Sequence, residues 1–396
     1  MRTPLLRAPF SARSLAIGIA LILIPSLQAV LSAEEAEGFP VATPESQGID
    51  SNRLREMSEW IRAEDLDVRS LLLLRRGHLV LEWHADDVSR DSNHNIYSIT
   101  KSVVGLLAGL AIDGGNIASA ETSLGELLPV TKGSPSGTIT LAQLLTMRSG
   151  LPVSRANQPE GPERELFDRI NTADDRAALI LEELDLVTEP GKTFAYNNID
   201  PQLVGSAITA ATGKRSLADF AEESLFEPLG FQNADWMFPD ATGQVPGAYG
   251  LRLRSLDLAK LGQLVLQKGA WDGRQVISEN WIDASARDHT GTGYGYYWWL
   301  DTKNGIISAK GVRGQRLEIV PAKELVVVVT AELPPARVAP VTRSLLQDHV
   351  LPAVASPDEP LPENPQALRQ LTAELALAAR HRPTSRDALP KFRLPQ

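Results

Sequence analysis

Strand-forming segments lie at both ends of this 396-residue chain, and a long helical stretch separates them. SLLLLRRGHLVLEWH, residues 70–84, contains two apolar runs that meet at Arg76-Gly77, which predicts a β-hairpin. Near the other end, three further strands are predicted at IISAK (306–310), RLEIV (316–320) and ELVVVVTA (324–331). Valine-rich runs of this kind are typical of strands buried on both faces. The two groups are therefore expected to pair in one antiparallel sheet.

The middle of the chain is predicted to be helical. Five segments place apolar residues at spacings of three and four, with glycine near the end of most: KSVVGLLAGLAIDGG, LAQLLTMRSG, DDRAALILEELD, IDPQLVGSAITAATG and SLDLAKLGQLVLQKG. They form an expected insertion at about residues 116–285 of a domain spanning 34–350. A cleft between the sheet and this insertion is the expected site.

The last segment, 351–396, begins with a proline-rich stretch and then offers one short helix candidate, QALRQLTAELALAARH. This composition predicts a linker followed by either a docking helix or a disordered end. No chemistry is expected in this segment.

The first 33 residues have the pattern of an export signal. A basic stretch through Arg13 precedes the apolar run LAIGIALILI (15–24), and Pro25 and small residues lead to Ser32-Ala33. The apolar run is shorter than the ~20 residues that a membrane span needs. We expect cleavage near Ala33, a secreted or periplasmic protein, and no stable membrane span afterwards. An uncleaved anchor is the alternative.

Composition excludes several classes of function. The chain has no cysteine, which rules out disulfides, thiolate chemistry and cysteine-ligated metals. A formal net charge of −10 argues against nucleic acid or an anionic membrane as partner. The six histidines show no zinc-binding spacing, and neither Gly-x-Ser-x-Gly nor a phosphate loop is present. No metal or cofactor is expected.

The stretch YSITKSVVG, residues 97–105, contains the first candidate for chemistry. Ser98 stands where a loop enters an apolar-periodic helix, and Lys101 returns to the same face one turn later. A serine hydroxyl needs an adjacent base to become a nucleophile, and a desolvated lysine can serve once its pKa falls. Ser98 and Lys101 are thus a candidate nucleophile and base. A helix-capping serine followed by an incidental lysine explains the same pattern.

Two further segments offer partners. In EPGKTFAYNNID (189–200), Tyr196 and Asn198 project to one side of an extended backbone, within reach of one lysine ammonium. Helix capping by Asn198 or Asp200 is the alternative. In SAKGVRGQRLEIVP (308–321), glycines interrupt a strand, which indicates either a plain β-bulge or the close approach of a ligand. Strand N–H groups there are suited to an oxyanion hole.

Taken in this order, Ser-Ile-Thr-Lys, Tyr-Asn-Asn and the glycine-broken strand resemble the penicillin-recognising serine hydrolases, which include class C β-lactamases, D-alanyl-D-alanine peptidases and related esterases. The resemblance runs from about residue 44 to 350. TITLAQLLTMRSGL, EPGKTFAYNN and SLFEPLGFQNADW are similar to that family's connecting segments. GYGYYWWL and GVRGQ are more similar to the branch of 6-aminohexanoate-dimer hydrolases and esterases.

The resemblance implies an α/β (α+β) fold like that of β-lactamases and transpeptidases, with an antiparallel sheet flanked by helices and a mostly helical inserted subdomain. It implies that Ser98 is acylated, that Lys101 accepts its proton and that Tyr196 relays the proton to the leaving group. The backbone N–H groups of Ser98 and Val312 would form the oxyanion hole. Five residues are expected to contact substrate: Asn198, which alternatively orients Lys101, and Lys310, Gly311, Arg313 and Trp298.

Trp298 belongs to an aromatic run, residues 294–299, that either lines the mouth of the pocket or forms a partly buried strand.

The third motif of the family corresponds to the glycine-broken strand at residues 308–321, and here it departs from the family pattern. Its first position, a lysine or histidine in the family, is Ala309 here, and the nearby Lys310 and Arg313 do not occupy the matching position. The expected function is therefore an exported serine hydrolase acting on a neutral ester or small amide. A β-lactamase or D-alanyl-D-alanine peptidase is the alternative enzyme. A catalytically decayed binding protein on the same fold is the alternative of another class.

Overall fold

A computed structural model describes residues 35–128, 131–155, 160–356 and 358–384. The predicted signal, residues 1–33, lies outside the described residues. Within them, no helix is both long enough and apolar enough to cross a membrane.

Thirteen strands are present in the described residues. They are β1 (Glu35–Ala36), β2 (Phe39–Pro40), β3 (Val68–Arg75), β4 (His78–His84), β5 (His94–Asn95), β6 (Asp235–Trp236), β7 (Leu251–Leu253), β8 (Ala270–Trp271), β9 (Arg274–Gln275), β10 (Trp299–Asp301), β11 (Ile306–Lys310), β12 (Arg316–Val320) and β13 (Leu325–Ala331). Six of them form one antiparallel sheet in the order β10-β11-β12-β13-β3-β4. The predicted hairpin, the three predicted C-terminal strands and their pairing in one sheet are confirmed.

The described residues contain fourteen α-helices. They are α1 (Ser51–Ala63), α2 (Ile99–Asp113), α3 (Leu124–Leu127), α4 (Leu141–Leu145), α5 (Pro162–Asn171), α6 (Arg176–Glu183), α7 (Ile199–Thr212), α8 (Leu217–Ala221), α9 (Glu227–Leu229), α10 (Ser255–Leu266), α11 (Glu279–Ser285), α12 (Pro335–Ser344), α13 (Leu351–Ala353) and α14 (Pro365–Arg380). Each of the five segments with helical periodicity contains one of them, namely α2, α4, α6, α7 and α10.

The sheet separates two hydrophobic cores. Because successive side chains of a strand point to opposite faces, neighbouring residues of β3 and β13 enter different cores. Leu72 and its partner Val328 pack in the core shared with α2, α7 and α10. Leu73 and its partner Val327 pack in the core shared with α1, α12 and α14. This two-sided burial explains the continuous valine run. The candidate site lies on the side of the sheet that packs against α2.

The C-terminal helix α14 is docked on the body of the protein. Arg62 of α1 donates to both carboxylate oxygens of Glu374, at 3.0 and 3.1 Å, and the indole N–H of Trp83 donates to the carbonyl of Leu375 at 3.0 Å. Leu371 is buried in the core that α1 lines. Of the two predicted outcomes for this segment, the structure shows the docking helix. Packing therefore continues beyond residue 350, where the predicted domain ended.

Candidate active site

The turn before α2 holds Ser98 in a constrained position. Tyr97 has a φ of +47°, a left-handed conformation that costs about 1 kcal/mol or more for a residue with a side chain. Its N–H donates to Oδ1 of Asn95 at 3.0 Å, and the N–H of Ile96 donates to the carbonyl of Leu251 at 3.1 Å. These bonds fix the backbone on the N-terminal side of Ser98. The Ser98 hydroxyl makes no helix-capping hydrogen bond, so the capping interpretation of this serine is wrong.

Lys101 is buried directly beneath this hydroxyl. Its Nζ donates to Ser98 Oγ at 3.1 Å, to Asn198 Oδ1 at 2.9 Å and to the carbonyl oxygen of Ala248 at 2.9 Å. The side chain is 1% exposed, and burial lowers the pKa of its amine from 10.5 to about 7. All three acceptors are uncharged groups. A large share of Lys101 is therefore neutral at neutral pH and able to accept a proton.

Tyr196 covers the other side of the lysine. Lys101 Nζ lies 5.0 Å from the centroid of its ring, which also packs on Trp299 with centroids 5.4 Å apart. Burial raises the pKa of Tyr196 to about 12, while a hydrogen bond with Ser98 and the positive charge of Arg155 act in the lowering direction. The phenol therefore keeps its proton at neutral pH and stands next to both the hydroxyl and the amine.

The two asparagines after Tyr196 have different contacts. Asn197 Oδ1 accepts from the N–H groups of Ile199 and Asp200, both at 2.8 Å, and so caps α7. Asn198 makes no capping bond and points its Oδ1 at Lys101 instead. The cap predicted at Asn198 or Asp200 is thus wrong. Of the two roles predicted for Asn198, contact with substrate or orientation of Lys101, the structure shows the contact with Lys101.

The end of β11 reaches the nucleophile turn at Gly311. A Cβ built on this glycine would lie 2.5 Å from the carbonyl oxygen of Ile96, which is too close for any other residue without a backbone shift. The close approach brings Gly311 against the turn that carries Ser98. Among the described residues, neither the Ser98 N–H nor the Val312 N–H donates to a protein acceptor. The oxyanion role of these two N–H groups stays a prediction.

The three other residues predicted to contact substrate occupy different surroundings. Arg313 forms an ion pair with Glu332. Lys310 projects from the opposite face of β11 to the buried Ala309, with its Nζ 5.5 Å from the Trp299 ring centroid. Trp298 is 1% exposed and packed in the core, so its predicted contact with substrate is wrong.

The aromatic run is interior packing for most of its length. Tyr294, Tyr296 and Tyr297 are buried with Trp298, and only Trp299 lies partly exposed beside Tyr196. Strand β10 begins at Trp299, after a left-handed backbone conformation at Tyr297 that turns the chain. Strand alternation therefore does not apply to the earlier members of the run. This explains why the prediction that Trp298 contacts substrate is wrong.

Two groups in the site were not predicted, the Ala248 carbonyl and Arg155, whereas Trp299 belongs to the aromatic run for which the pocket mouth was one of the two expected positions. Arg155 Nε donates to the carbonyl of Tyr196 at 3.3 Å. No motif marks Arg155 or Ala248, since each comes from a loop far from Tyr196 or Lys101 in sequence. Within the described residues, no group of three or more histidine, aspartate or glutamate side chains is arranged to hold a metal ion.

Comparison with known proteins agrees with this geometry. The sequence model of the family described as Beta-lactamase matches residues 68–350. The chain belongs to the beta-lactamase family. It is 24% identical, over 305 residues, to the 6-aminohexanoate-dimer hydrolase of Paenarthrobacter ureafaciens, an alignment that covers 72% of this chain and 77% of that protein. The predicted membership of the penicillin-recognising serine hydrolases is confirmed.

Solved structures show the same fold at low identity. EstCE1, a hydrolase with promiscuous acyltransferase activity, superposes with a TM-score of 0.63 at 16% identity, covering 79% of this chain and 99% of that one. A class C beta-lactamase from Rhodobacter sphaeroides superposes with a TM-score of 0.56 at 20% identity, covering 82% and 99%. The predicted fold class is confirmed, and this beta-lactamase-family chain is a hydrolase.

Proposed function

We propose that this protein is an exported serine hydrolase that forms an acyl-enzyme on Ser98 and cleaves ester or small amide bonds. The observation that carries the proposal is the 3.1 Å contact between Lys101 Nζ and Ser98 Oγ. The amine is buried among neutral acceptors, and its pKa of about 7 makes it a usable base at neutral pH.

Acylation begins when neutral Lys101 takes the Ser98 proton and Oγ attacks the substrate carbonyl. Negative charge develops on the carbonyl oxygen, where the N–H groups of Ser98 and Val312 stabilise it. Tyr196 donates its proton to the departing oxygen or nitrogen and is reprotonated by Lys101. The bond to the leaving group breaks, and the acyl group remains on Ser98.

Deacylation repeats these proton transfers with water. The Tyr196–Lys101 pair accepts a proton from a water molecule that attacks the acyl carbonyl, and the second tetrahedral intermediate uses the same N–H groups. Collapse of this intermediate returns the proton to Ser98 Oγ and releases the acid. Asn198 and the carbonyl of Ala248 hold Lys101 in place, since each accepts one of its hydrogen bonds.

The substrate class follows from the third motif and from the relatives. Ala309 puts no charge on the strand edge where the family carries a cation, which favours a neutral ester or amide. The Paenarthrobacter relative is named for hydrolysis of a 6-aminohexanoate dimer, and this supports including a linear amide among the candidate substrates. Two Escherichia coli relatives carry D-alanyl-D-alanine carboxypeptidase names, at 25% and 27% identity over about half of each protein. Carboxypeptidase activity is therefore tested together with ester and amide hydrolysis.

Labelling with a fluorophosphonate probe tests the nucleophile. Intact mass should rise by one probe adduct in the parent protein and stay unchanged in Ser98→Ala. A substrate panel of a short-chain phenyl ester, a linear amide dimer, nitrocefin and a D-Ala-D-Ala peptide then assigns the reaction. Equal labelling of Ser98→Ala would contradict the proposed nucleophile. A parent with no turnover of any of the four compounds would support the decayed binding protein instead.

Export is proposed from the N-terminal sequence pattern alone. Expression of the full chain in a Gram-negative host followed by N-terminal sequencing of the periplasmic protein should give a start near Glu34. Recovery of the uncut chain in the membrane fraction would favour the uncleaved anchor.

A further inference from the structure

The active site contains a positive charge that does not come from the third motif. Arg155 lies in the loop before α5 and runs alongside the Tyr196 segment. Its Nε donates to the Tyr196 carbonyl at 3.3 Å, and the carbonyl of its neighbour Ser154 accepts from the N–H of Asn198 at 3.2 Å. These two bonds bracket the Tyr-Asn-Asn segment, so the Arg155 guanidinium is fixed beside the proton relay.

The guanidinium keeps donors for a further partner. Its side chain is 36% exposed, and its ion pair with Glu163 is 3.6 Å long, which exceeds hydrogen-bond distance. Among the described residues, the Tyr196 carbonyl is the one hydrogen-bond acceptor that this side chain has. An arginine carries five N–H donors in a planar fork that matches a carboxylate. Arg155 can therefore receive an anionic group without breaking a hydrogen bond.

The other cations near the site are less suitable. Arg313 is engaged with Glu332. Lys310 projects from the face of β11 opposite to Ala309, and its amine lies against the Trp299 ring. Arg155, in contrast, contacts Tyr196 itself, and its charge acts on the phenol in the direction that lowers the pKa.

We propose that Arg155 is a specificity-determining residue that binds a carboxylate on the leaving-group half of the substrate, in place of the cation absent at Ala309. The inference rests on the proposed function, in which Tyr196 protonates the leaving group and so faces that half of the substrate. It also replaces the expectation of a neutral substrate with that of an anionic leaving group, because a loop supplies the charge that is absent at Ala309.

Two esters of one size test the proposal: 3-carboxyphenyl butanoate, which is anionic at pH 7, and its neutral analogue 3-carbamoylphenyl butanoate. The quantity measured is the ratio of their kcat/KM values. Arg155→Gln should lower kcat/KM for the anionic ester about tenfold more than for the neutral ester, as expected for a hydrogen bond to a charged group. Arg155→Lys should recover part of the loss.

Glu163→Gln provides the opposite perturbation. Because it removes the carboxylate that competes for Arg155, it should raise the ratio in favour of the anionic ester. If the Arg155–Glu163 pair only held the loop, the two variants would instead damage both esters alike. Arg169→Gln is the matched control, because this exposed arginine of α5 pairs with Glu183 outside the site, and it should leave the ratio unchanged.

The outcomes separate the two proposals. Equal losses for both esters in Arg155→Gln, or an equal change of the ratio in Arg169→Gln, would overturn the role of Arg155 while leaving the hydrolase intact. A parent that turns over neither ester and takes no fluorophosphonate label would overturn the proposed function, and the role of Arg155 with it.

Discussion

The buried amine of Lys101 makes acylation depend on pH in a defined way. Burial lowers its pKa from 10.5 to about 7. At pH 7 about half of the amine is then neutral, against roughly 3 in 10,000 for an amine of ordinary pKa, a gain of about 1,000-fold in available base. Only the neutral form accepts the Ser98 proton. The rate of acylation should therefore rise about tenfold per pH unit below pH 7 and level off above about pH 8.

The measurement is kcat/KM for phenyl butanoate, a substrate with no ionisable group, followed by chromatography of released phenol from about pH 5 to 9.5. Ser98→Ala supplies the blank for spontaneous hydrolysis. Lys101→Arg, which stays protonated throughout, should lose at least about 1,000-fold at pH 8 and show no inflection near pH 7. A parent profile that is flat, or that still rises about tenfold per pH unit at pH 9.5, would refute the assignment of a neutral lysine as the base.

Four further changes separate chemistry from stability. Asn198→Ala removes a hydrogen bond from Lys101 and should lower kcat about 10- to 100-fold, with little change in the free energy of unfolding. Asn197→Ala removes the cap of α7 and should instead cost about 1–2 kcal/mol of unfolding free energy. If the two variants had similar effects on kcat and on urea unfolding, this division of roles would be wrong. Gly311→Ala places a Cβ 2.5 Å from the Ile96 carbonyl oxygen, so kcat should fall at least about tenfold and the free energy of unfolding should fall by about 1–3 kcal/mol. An unchanged kcat would show that the end of β11 does not position the turn that carries Ser98. Truncation before α14 should lower the free energy of unfolding by about 3 kcal/mol or more, because it removes the buried Leu371 and leaves Arg62 without Glu374. An unchanged urea midpoint would contradict the docking contacts.

The helices and strands could be predicted because their signals are local. Apolar residues at spacings of three and four identify α2 and α7, which are mostly buried, and the valine run of β13 identifies a strand covered on both sides. The aromatic run at residues 294–299 shows where local pattern fails. Its alternation resembles a strand, but the left-handed turn at Tyr297 moves Trp298 into the core and leaves Trp299 at the site.

Within the site, residue types were easier to predict than their partners. The order Ser-x-x-Lys and Tyr-x-Asn identified Ser98, Lys101 and Tyr196 as candidates, and the structure brings all three together. Which of the two asparagines caps α7 depends on the direction of the chain as it leaves the Tyr196 segment. That direction is set by the bond from Asn198 N–H to Ser154, which no pattern in the sequence records.

The family, the strands of the sheet and the candidate nucleophile could be predicted from the sequence, because each depends on residues close together in the chain or on a motif. The environment of those residues depends on the fold. Burial beneath Tyr196 lowers the pKa of Lys101, and a loop distant in sequence brings Arg155 next to Tyr196. Desolvation and long-range contact depend on what surrounds a side chain, and those surroundings exist only in the folded protein.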